Sequence, residues 1–324
     1  MKRSTSDVLL TAVAPCIWGS TYVATTVGLA GFSPLTVAML RALPAGLLLL
    51  LVVRQLPRGV WWARVAVLGA LNFSVFLSLL FVAAYRLPGG VAATVTSVQP
   101  LLVLGFARLA LGTAVQPVAV LAACGGAAGV ALMVLTPEAA LDPWGLAAGL
   151  GAAVAMAAGT VLSRRWQPPV SVLTFTAWQL TAGGVLLVPV ALAFGGMPPT
   201  LTWGHGLSLA WLGLVGMAAT SVLWFRGVAR LPPGAVSLLL LLSPLTAIAL
   251  GWALLDQSLG PWQLAGAALV VASIRAGQHA ANGPGAGQRA AAGPGAGLRP
   301  AGGPPAPAPP ATGRPGTGWP SRRP

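Results

Sequence analysis

About ten apolar runs, each near the length needed to cross a bilayer, follow one another from the N-terminus to about residue 276. A helix of about 20 apolar residues spans the hydrocarbon core. Because lipid offers no partners for backbone amides and carbonyls, such runs must be helical. The sequence therefore predicts an all-α membrane protein with ten transmembrane helices, at roughly 8–29, 34–53, 61–84, 89–111, 116–135, 144–163, 171–194, 205–226, 232–255 and 261–276.

The composition argues against a water-soluble fold. Only 7% of the residues are charged and 56% are hydrophobic, whereas soluble domains carry about 25% charged residues. A secretory signal peptide has one apolar stretch at the N-terminus, but here such stretches recur along most of the chain. The two cysteines, Cys16 and Cys124, lie inside apolar runs and are interpreted as packing residues.

The net charge of +14 does not indicate a nucleic-acid-binding protein, because the arginines are scattered between apolar runs and form no basic face. Their distribution fits the positive-inside rule. It predicts a multi-pass protein of the cell (inner) membrane with both termini in the cytoplasm. The cytoplasmic side then holds Lys2, Arg3, Arg54, Arg58, Arg64, Arg164, Arg165, Arg226, Arg230 and Arg275, and the outer side holds Arg86, Glu138, Asp142 and Asp256.

An internal repeat divides the apolar part of the chain. Arg86-Leu87-Pro88 reappears 144 positions later as Arg230-Leu231-Pro232, and Pro100 and Pro117 reappear with the same offset as Pro244 and Pro261. Five helices per half would make the second copy enter the membrane from the opposite side. The sequence thus predicts two inverted five-helix (5+5) repeats, residues 8–135 and 143–276, an arrangement typical of secondary transporters.

From about residue 277 the composition changes abruptly to glycine, proline, alanine and arginine. Such a segment has no apolar face to bury. Residues 277–324 are therefore predicted to be a disordered cytoplasmic tail whose arginines could contact anionic headgroups.

Several short motifs resemble the EamA family of the drug/metabolite transporter superfamily. They are Trp18-Gly19-Ser20 in the first run, Ser33-Pro34 followed by Arg41, the prolines Pro100 and Pro244, and the stretch from Leu250 to Asp256. The resemblance covers residues 8–276 and implies a transporter. The family usually ends both of the proline-containing helices with an acidic residue. Here Asp256 is present, but Gly112 stands at the matching place in the first half.

Polar and aromatic residues inside the predicted helices are the candidates for substrate binding. Arg41 is the only charge well inside a span, and a guanidinium in lipid needs a cavity or a partner. Pro100 and Pro244 each remove a backbone hydrogen bond in mid-span, which can leave carbonyls free to line a cavity. For each candidate residue the alternative is a structural role, either a hydrogen bond between neighbouring helices or a kink that helps the helices pack. The candidates are Trp18, Tyr22, Arg41, Asn72, Gln99, Pro100, Gln179, Trp224, Ser243 and Pro244.

These residues predict a secondary transporter rather than an enzyme. No cofactor or metal is expected, since four acids and two histidines stand at no catalytic or metal-binding spacing. The expected substrate is an amino acid, a related metabolite or an amphiphilic drug, moved by alternating access, and the family resemblance implies export. Asp256 is the candidate for proton coupling. A facilitative or channel-like permease without ion coupling, a membrane-embedded enzyme and a homodimeric assembly stay open as alternatives.

Overall fold

Every regular element is a helix in the part of the chain that the computed structural model describes, residues 5–26, 28–87, 89–134, 142–196, 199–254 and 258–282. The helices are α1 (Thr5–Gly19), α2 (Thr21–Thr26), α3 (Pro34–Val53), α4 (Trp61–Arg86), α5 (Gly89–Thr96), α6 (Gln99–Leu111), α7 (Pro117–Val134), α8 (Pro143–Arg165), α9 (Val172–Phe194), α10 (Trp203–Arg230), α11 (Pro233–Leu239), α12 (Leu242–Leu254) and α13 (Pro261–Asn282).

Eight stretches within the described residues are long and apolar enough to cross a membrane. They are α3, α4, α7, α8, α9, α10, the α5–α6 pair from Val91 and the α11–α12 pair, and α1 is a shorter apolar helix. The predicted all-helical membrane protein is confirmed at this level. The last helix, α13, runs to Asn282, beyond the predicted end at residue 276, because its alanines continue a good helical sequence. The rest of the predicted tail, residues 283–324, lies outside the described residues.

Several helix ends in the described residues have local causes. Asp142 caps α8 by accepting a hydrogen bond from the amide of Gly145 at 2.6 Å, with Pro143 in the first turn. Ser171 caps α9 in the same way through the amide of Thr174, at 3.1 Å. Gly112 ends α6 with φ +67°, a left-handed conformation that favours glycine. Gly112 therefore has a structural reason to stand where the resemblance expects an acid.

Three predicted continuous helices are interrupted. The first run divides at Ser20, whose hydroxyl bonds back to the carbonyl of Ile17 at 2.7 Å and competes with the helix. The α5–α6 pair divides at 97–98 and the α11–α12 pair at 240–241, in each case shortly before the proline. Proline has no amide hydrogen and also clashes with the preceding turn, so the helix restarts there.

The helix contacts made by the first half of the chain, α1–α7, have counterparts in those made by the second half, α8–α13. Helix α3 packs against α9, and α7 packs against α13. In the first half α1 contacts α10 and α12, while in the second half α8 contacts the corresponding α4 and α6. Both α4 and α10 also contain a π-helical segment, Ala70–Ser74 and Trp211–Ala219. The two halves are therefore packed through equivalent surfaces.

Candidate functional site

A closed triangle of polar side chains joins three helices in the interior. The amide nitrogen of Asn72 on α4 donates to Oε1 of Gln179 on α9 at 2.9 Å and to Oγ of Ser163 on α8 at 3.1 Å. The Ser163 hydroxyl also donates to Gln179 Oε1, at 3.1 Å. All three side chains are almost fully buried, with exposures of 2% or less. We call this set the polar triad.

The polar triad still has unused hydrogen-bonding capacity. Oδ1 of Asn72 and Nε2 of Gln179 are buried and have no partner among the described residues. Rotating both amides by 180° exchanges their roles but again leaves one donor and one acceptor unpaired. A buried amide group without a partner costs about 1–3 kcal/mol, so the triad would be stabilised by a ligand that completes it.

Local backbone features bring the triad together. Asn72 lies in the π-helical segment of α4, and such segments redirect side chains and are frequent at functional sites. A Cβ placed on Gly159 of α8 would collide with Oδ1 of Asn72. Likewise, a Cβ on Gly183 would lie 2.7 Å from the carbonyl oxygen of Gly69. Small residues thus allow the backbones of α4, α8 and α9 to approach around the amides.

Two tryptophans that were predicted to bind substrate contact each other where α1 packs on α10. The rings of Trp18 and Trp224 lie 5.4 Å apart at an angle of 56°. The indole nitrogen of Trp18 donates to Thr220 Oγ1 at 2.9 Å and to the Gly216 carbonyl at 3.1 Å. Trp224 is only 1% exposed, yet its indole nitrogen has no partner among the described residues. Trp18 therefore joins two helices, whereas Trp224 retains a free donor.

The proline interruptions place their neighbouring polar residues differently. Gln99 is 6% exposed, and its Nε2 has no partner within the described structure; Pro100 beside it is buried. Ser243 and Pro244 are half-buried. A Cβ on Gly19 would lie 2.6 Å from the carbonyl oxygen of Ser243, so α1 at its break presses directly against the backbone of α12.

The structure gives few contacts, or none, for the remaining predicted site residues. Arg41 lies on α3 with its Nε buried, and no hydrogen bond or ion pair of the described residues joins it to another predicted site residue. Tyr22 belongs to α2, but its side chain lies outside the described part of the structure, as does all of Asp256. Sequence reasoning missed Ser163 and Thr220, because a hydroxyl in an apolar helix usually bonds its own backbone and gives no distinguishing signal.

The interior of the described spans offers mainly hydrogen-bond donors and no carboxylates. The acids within the described residues, Asp7 and Asp142, both stand at helix starts. In the same residues, no group of three or more His, Cys, Asp or Glu side chains could hold a metal. Nitrogen donors without partners among the described residues are Arg41 Nε, Gln99 Nε2, Gln179 Nε2 and Trp224 Nε1, and the unpaired hydroxyls of Ser78, Thr160 and Thr181 can donate or accept.

Comparison with known proteins agrees with this architecture. The sequence profile described as the EamA-like transporter family matches residues 5–135 and again residues 143–276. Protein PecM of Dickeya dadantii is 41% identical over 263 residues, which cover 81% of this chain and 88% of PecM. The uncharacterized inner membrane transporter YedA of Escherichia coli is 28% identical over 248 residues, covering 75% of this chain and 81% of YedA.

A solved structure shows the same fold. One crystal structure of a protein superposes with a TM-score of 0.73 at 20% identity, covering 86% of this chain and 98% of that chain. The family resemblance drawn from the sequence motifs is confirmed by the profile match and by the relatives.

Proposed function

Because this chain belongs to the EamA-like transporter family, we propose that it is a secondary transporter that moves a small metabolite across the cytoplasmic membrane by alternating access. The observation that carries the proposal is the exchange symmetry of the helix contacts, in which α1 contacts α10 and α12 as α8 contacts α4 and α6. A fold with two equivalent halves has two equivalent ways to open, one toward each side of the membrane.

The proposed topology has ten spans in two inverted five-helix repeats with both termini in the cytoplasm. Two observations support it. The family profile matches each half separately. The ion pairs also join residues assigned to the same side by the positive-inside rule, as in Arg86 with Asp142 at 3.5 Å and Arg226 with Asp7 at 2.7 Å. The relative YedA is named an inner membrane transporter, which agrees with this location.

The proposed substrate path lies between the halves, beside the polar triad and Trp224. The unpaired donors of Gln99, Gln179 and Trp224 favour a substrate that carries acceptors, such as a carboxylate or carbonyl group. The aromatic pair Trp18–Trp224 offers an apolar surface. An amino acid, a related metabolite or an amphiphilic organic acid fits this combination, and we propose export as the direction.

The test is a flux screen with purified protein in proteoliposomes. Amino acids, organic acids, nucleosides, sugars and cationic dyes are offered with and without a pH gradient, and empty liposomes serve as the blank. We expect saturable flux of an acceptor-bearing solute and little flux of cationic dyes. Flux confined to cations would contradict the proposed site.

Proton coupling through Asp256 is part of the same proposal. If it holds, Asp256→Asn abolishes accumulation driven by a pH gradient but leaves exchange of labelled for unlabelled substrate. A gradient-driven flux that survives in Asp256→Asn rules out this coupling role. Flux that ignores the gradient in the unmodified protein would favour the facilitative permease instead.

A further inference from the structure

Each ion pair found among the described residues joins the first half of the molecule to the second. Oδ1 of Asp7 on α1 contacts Arg226 Nη2 at 2.7 Å and Arg230 Nη1 at 3.2 Å, both on α10. Oδ2 of Asp142, at the start of α8, contacts Arg86 Nη1 on α4 at 3.5 Å. We call these contacts the Asp7 latch and the Asp142 latch.

The two latches are copies of one contact. Arg86 and Arg230 begin the repeated Arg-Leu-Pro motif and are the last residues of α4 and α10. Asp7 stands in the first turn of α1, and Asp142 is the N-cap of α8, so each acid opens the first helix of its half. In both latches the end of the third long helix of one half contacts the start of the other half.

The latches fall on opposite faces of the proposed topology. The positive-inside rule assigns Asp7, Arg226 and Arg230 to the cytoplasmic side and Arg86 and Asp142 to the outer side. A carrier that opens alternately must separate its halves at one face while they stay together at the other. An ion pair that joins the halves at one face must therefore break whenever that face opens, once in every transport cycle.

The latches are not equally strong in this structure. The Asp7 side chain is 17% exposed and is held by two arginines. The Asp142 and Arg86 side chains are 34% and 50% exposed, and their single contact is longer. The repeat gives the reason, because Arg226 stands where the first half has Val82. The extra arginine favours closure of the cytoplasmic face.

We propose that Asp7 and Asp142 are gate residues whose interhalf ion pairs close the cytoplasmic and outer faces in turn, with the resting state biased toward a closed cytoplasmic face. This inference rests on the proposed alternating-access function. It adds two residues that the substrate site does not contain, and it assigns an opposite effect to each of them.

The test measures accessibility in the full chain and needs no known substrate. Cys16 and Cys124 are replaced by alanine, and one cysteine is introduced at Thr11 or at Ala83 as a reporter. These positions are 1% and 0% exposed and lie one helical turn inside the Asp7 and Asp142 latches. Labelling by a membrane-impermeant maleimide is followed from the cytoplasmic side for Thr11→Cys and from the outer side for Ala83→Cys.

Breaking either latch should change both reporters in opposite directions. Asp7→Asn is expected to raise labelling at position 11 and lower it at position 83, and Asp142→Asn is expected to do the reverse. An exposed ion pair supplies enough free energy for a change of about two- to fivefold. Asparagine also caps helices well, so Asp142→Asn removes the charge while keeping the hydrogen bond to Gly145.

Two further variants keep the proposal falsifiable if an aspartate variant does not fold. Arg230→Gln together with Arg226→Gln breaks the Asp7 latch from the arginine side. Val82→Arg adds the second arginine that the outer face lacks, and it should lower labelling at position 83 and raise it at position 11.

Two outcomes would overturn the latch proposal. In one, each variant changes only the adjacent reporter, which indicates local fraying. In the other, neither reporter changes although the protein is folded. Substrate flux with unresponsive reporters refutes the latches and leaves the transport proposal standing. Reciprocal reporters without flux of any solute class support the latches and count against the proposed transport.

Discussion

Replacing Gly129 by alanine should destabilise the packing of α7 against α13. A Cβ at this position would lie 2.8 Å from the carbonyl oxygen of Gly266, 2.9 Å from Cγ2 of Val270 and 3.0 Å from the amide nitrogen of Val270. Two of these atoms belong to the backbone of α13, so no side-chain rotation relieves the clash. The two helices, which are in extensive contact, must separate instead.

The magnitude follows from two opposing terms. Adding a methyl group to a well-packed interface costs about 1–3 kcal/mol. Alanine in a helix is better than glycine by about 0.5–1 kcal/mol, which offsets part of that cost. Gly105→Ala is the matched control, because a Cβ on Gly105 in α6 would meet nothing within 4 Å. The propensity term cancels between the two variants, so their difference of about 1–3 kcal/mol isolates the clash.

The assay is unfolding of the purified protein in detergent, by thermal scan or by titration with a denaturing detergent. Gly125→Ala provides an intermediate case, since its Cβ would lie 2.8 Å from the Ser273 hydroxyl, which can rotate away. We expect Gly105→Ala to be the most stable of the three variants, Gly125→Ala to be intermediate and Gly129→Ala to be the least stable. If Gly129→Ala were as stable as Gly105→Ala, the close backbone contact between α7 and α13 would be refuted.

Other predictions follow from single hydrogen bonds. Trp18→Phe should destabilise the protein by about 1–2 kcal/mol by removing the bonds to Thr220 and Gly216. The same change at Trp224 removes no hydrogen bond of the described residues but leaves a cavity at a fully buried site, so its loss of stability should come from packing alone; a Trp224→Phe variant as stable as the unmodified protein would contradict the close packing of this ring. Asn72→Leu should cost about 1–3 kcal/mol, because Ser163 and Gln179 lose a shared donor. Gln99→Leu should leave the unfolding midpoint unchanged but raise the KM for the transported solute, and an unchanged KM would remove Gln99 from the proposed site.

The sequence by itself determined the solvent in which this chain folds and where most of its apolar runs lie, but not the helix breaks at 20, 97–98 and 240–241. Apolar runs of membrane length and prolines such as Pro100 and Pro244 act locally, so they can be read without knowing the fold. Repeated prolines and arginines predict two halves, residues 8–135 and 143–276. Asn72 and Gln179 were singled out because buried amides need partners, and the structure brings these two into direct contact.

Only the tertiary structure decided which surfaces of the helices meet. In a membrane the lipid is as apolar as the protein interior, so a helix can be apolar all round and its sequence does not show which face turns inward. For that reason the sequence did not distinguish the bonded Trp18 from the unpaired Trp224, and it gave no sign that Ser163 completes the polar triad. The partnership of Asp7 with Arg226 and Arg230, more than 200 residues away, likewise exists only because α1 and α10 pack together.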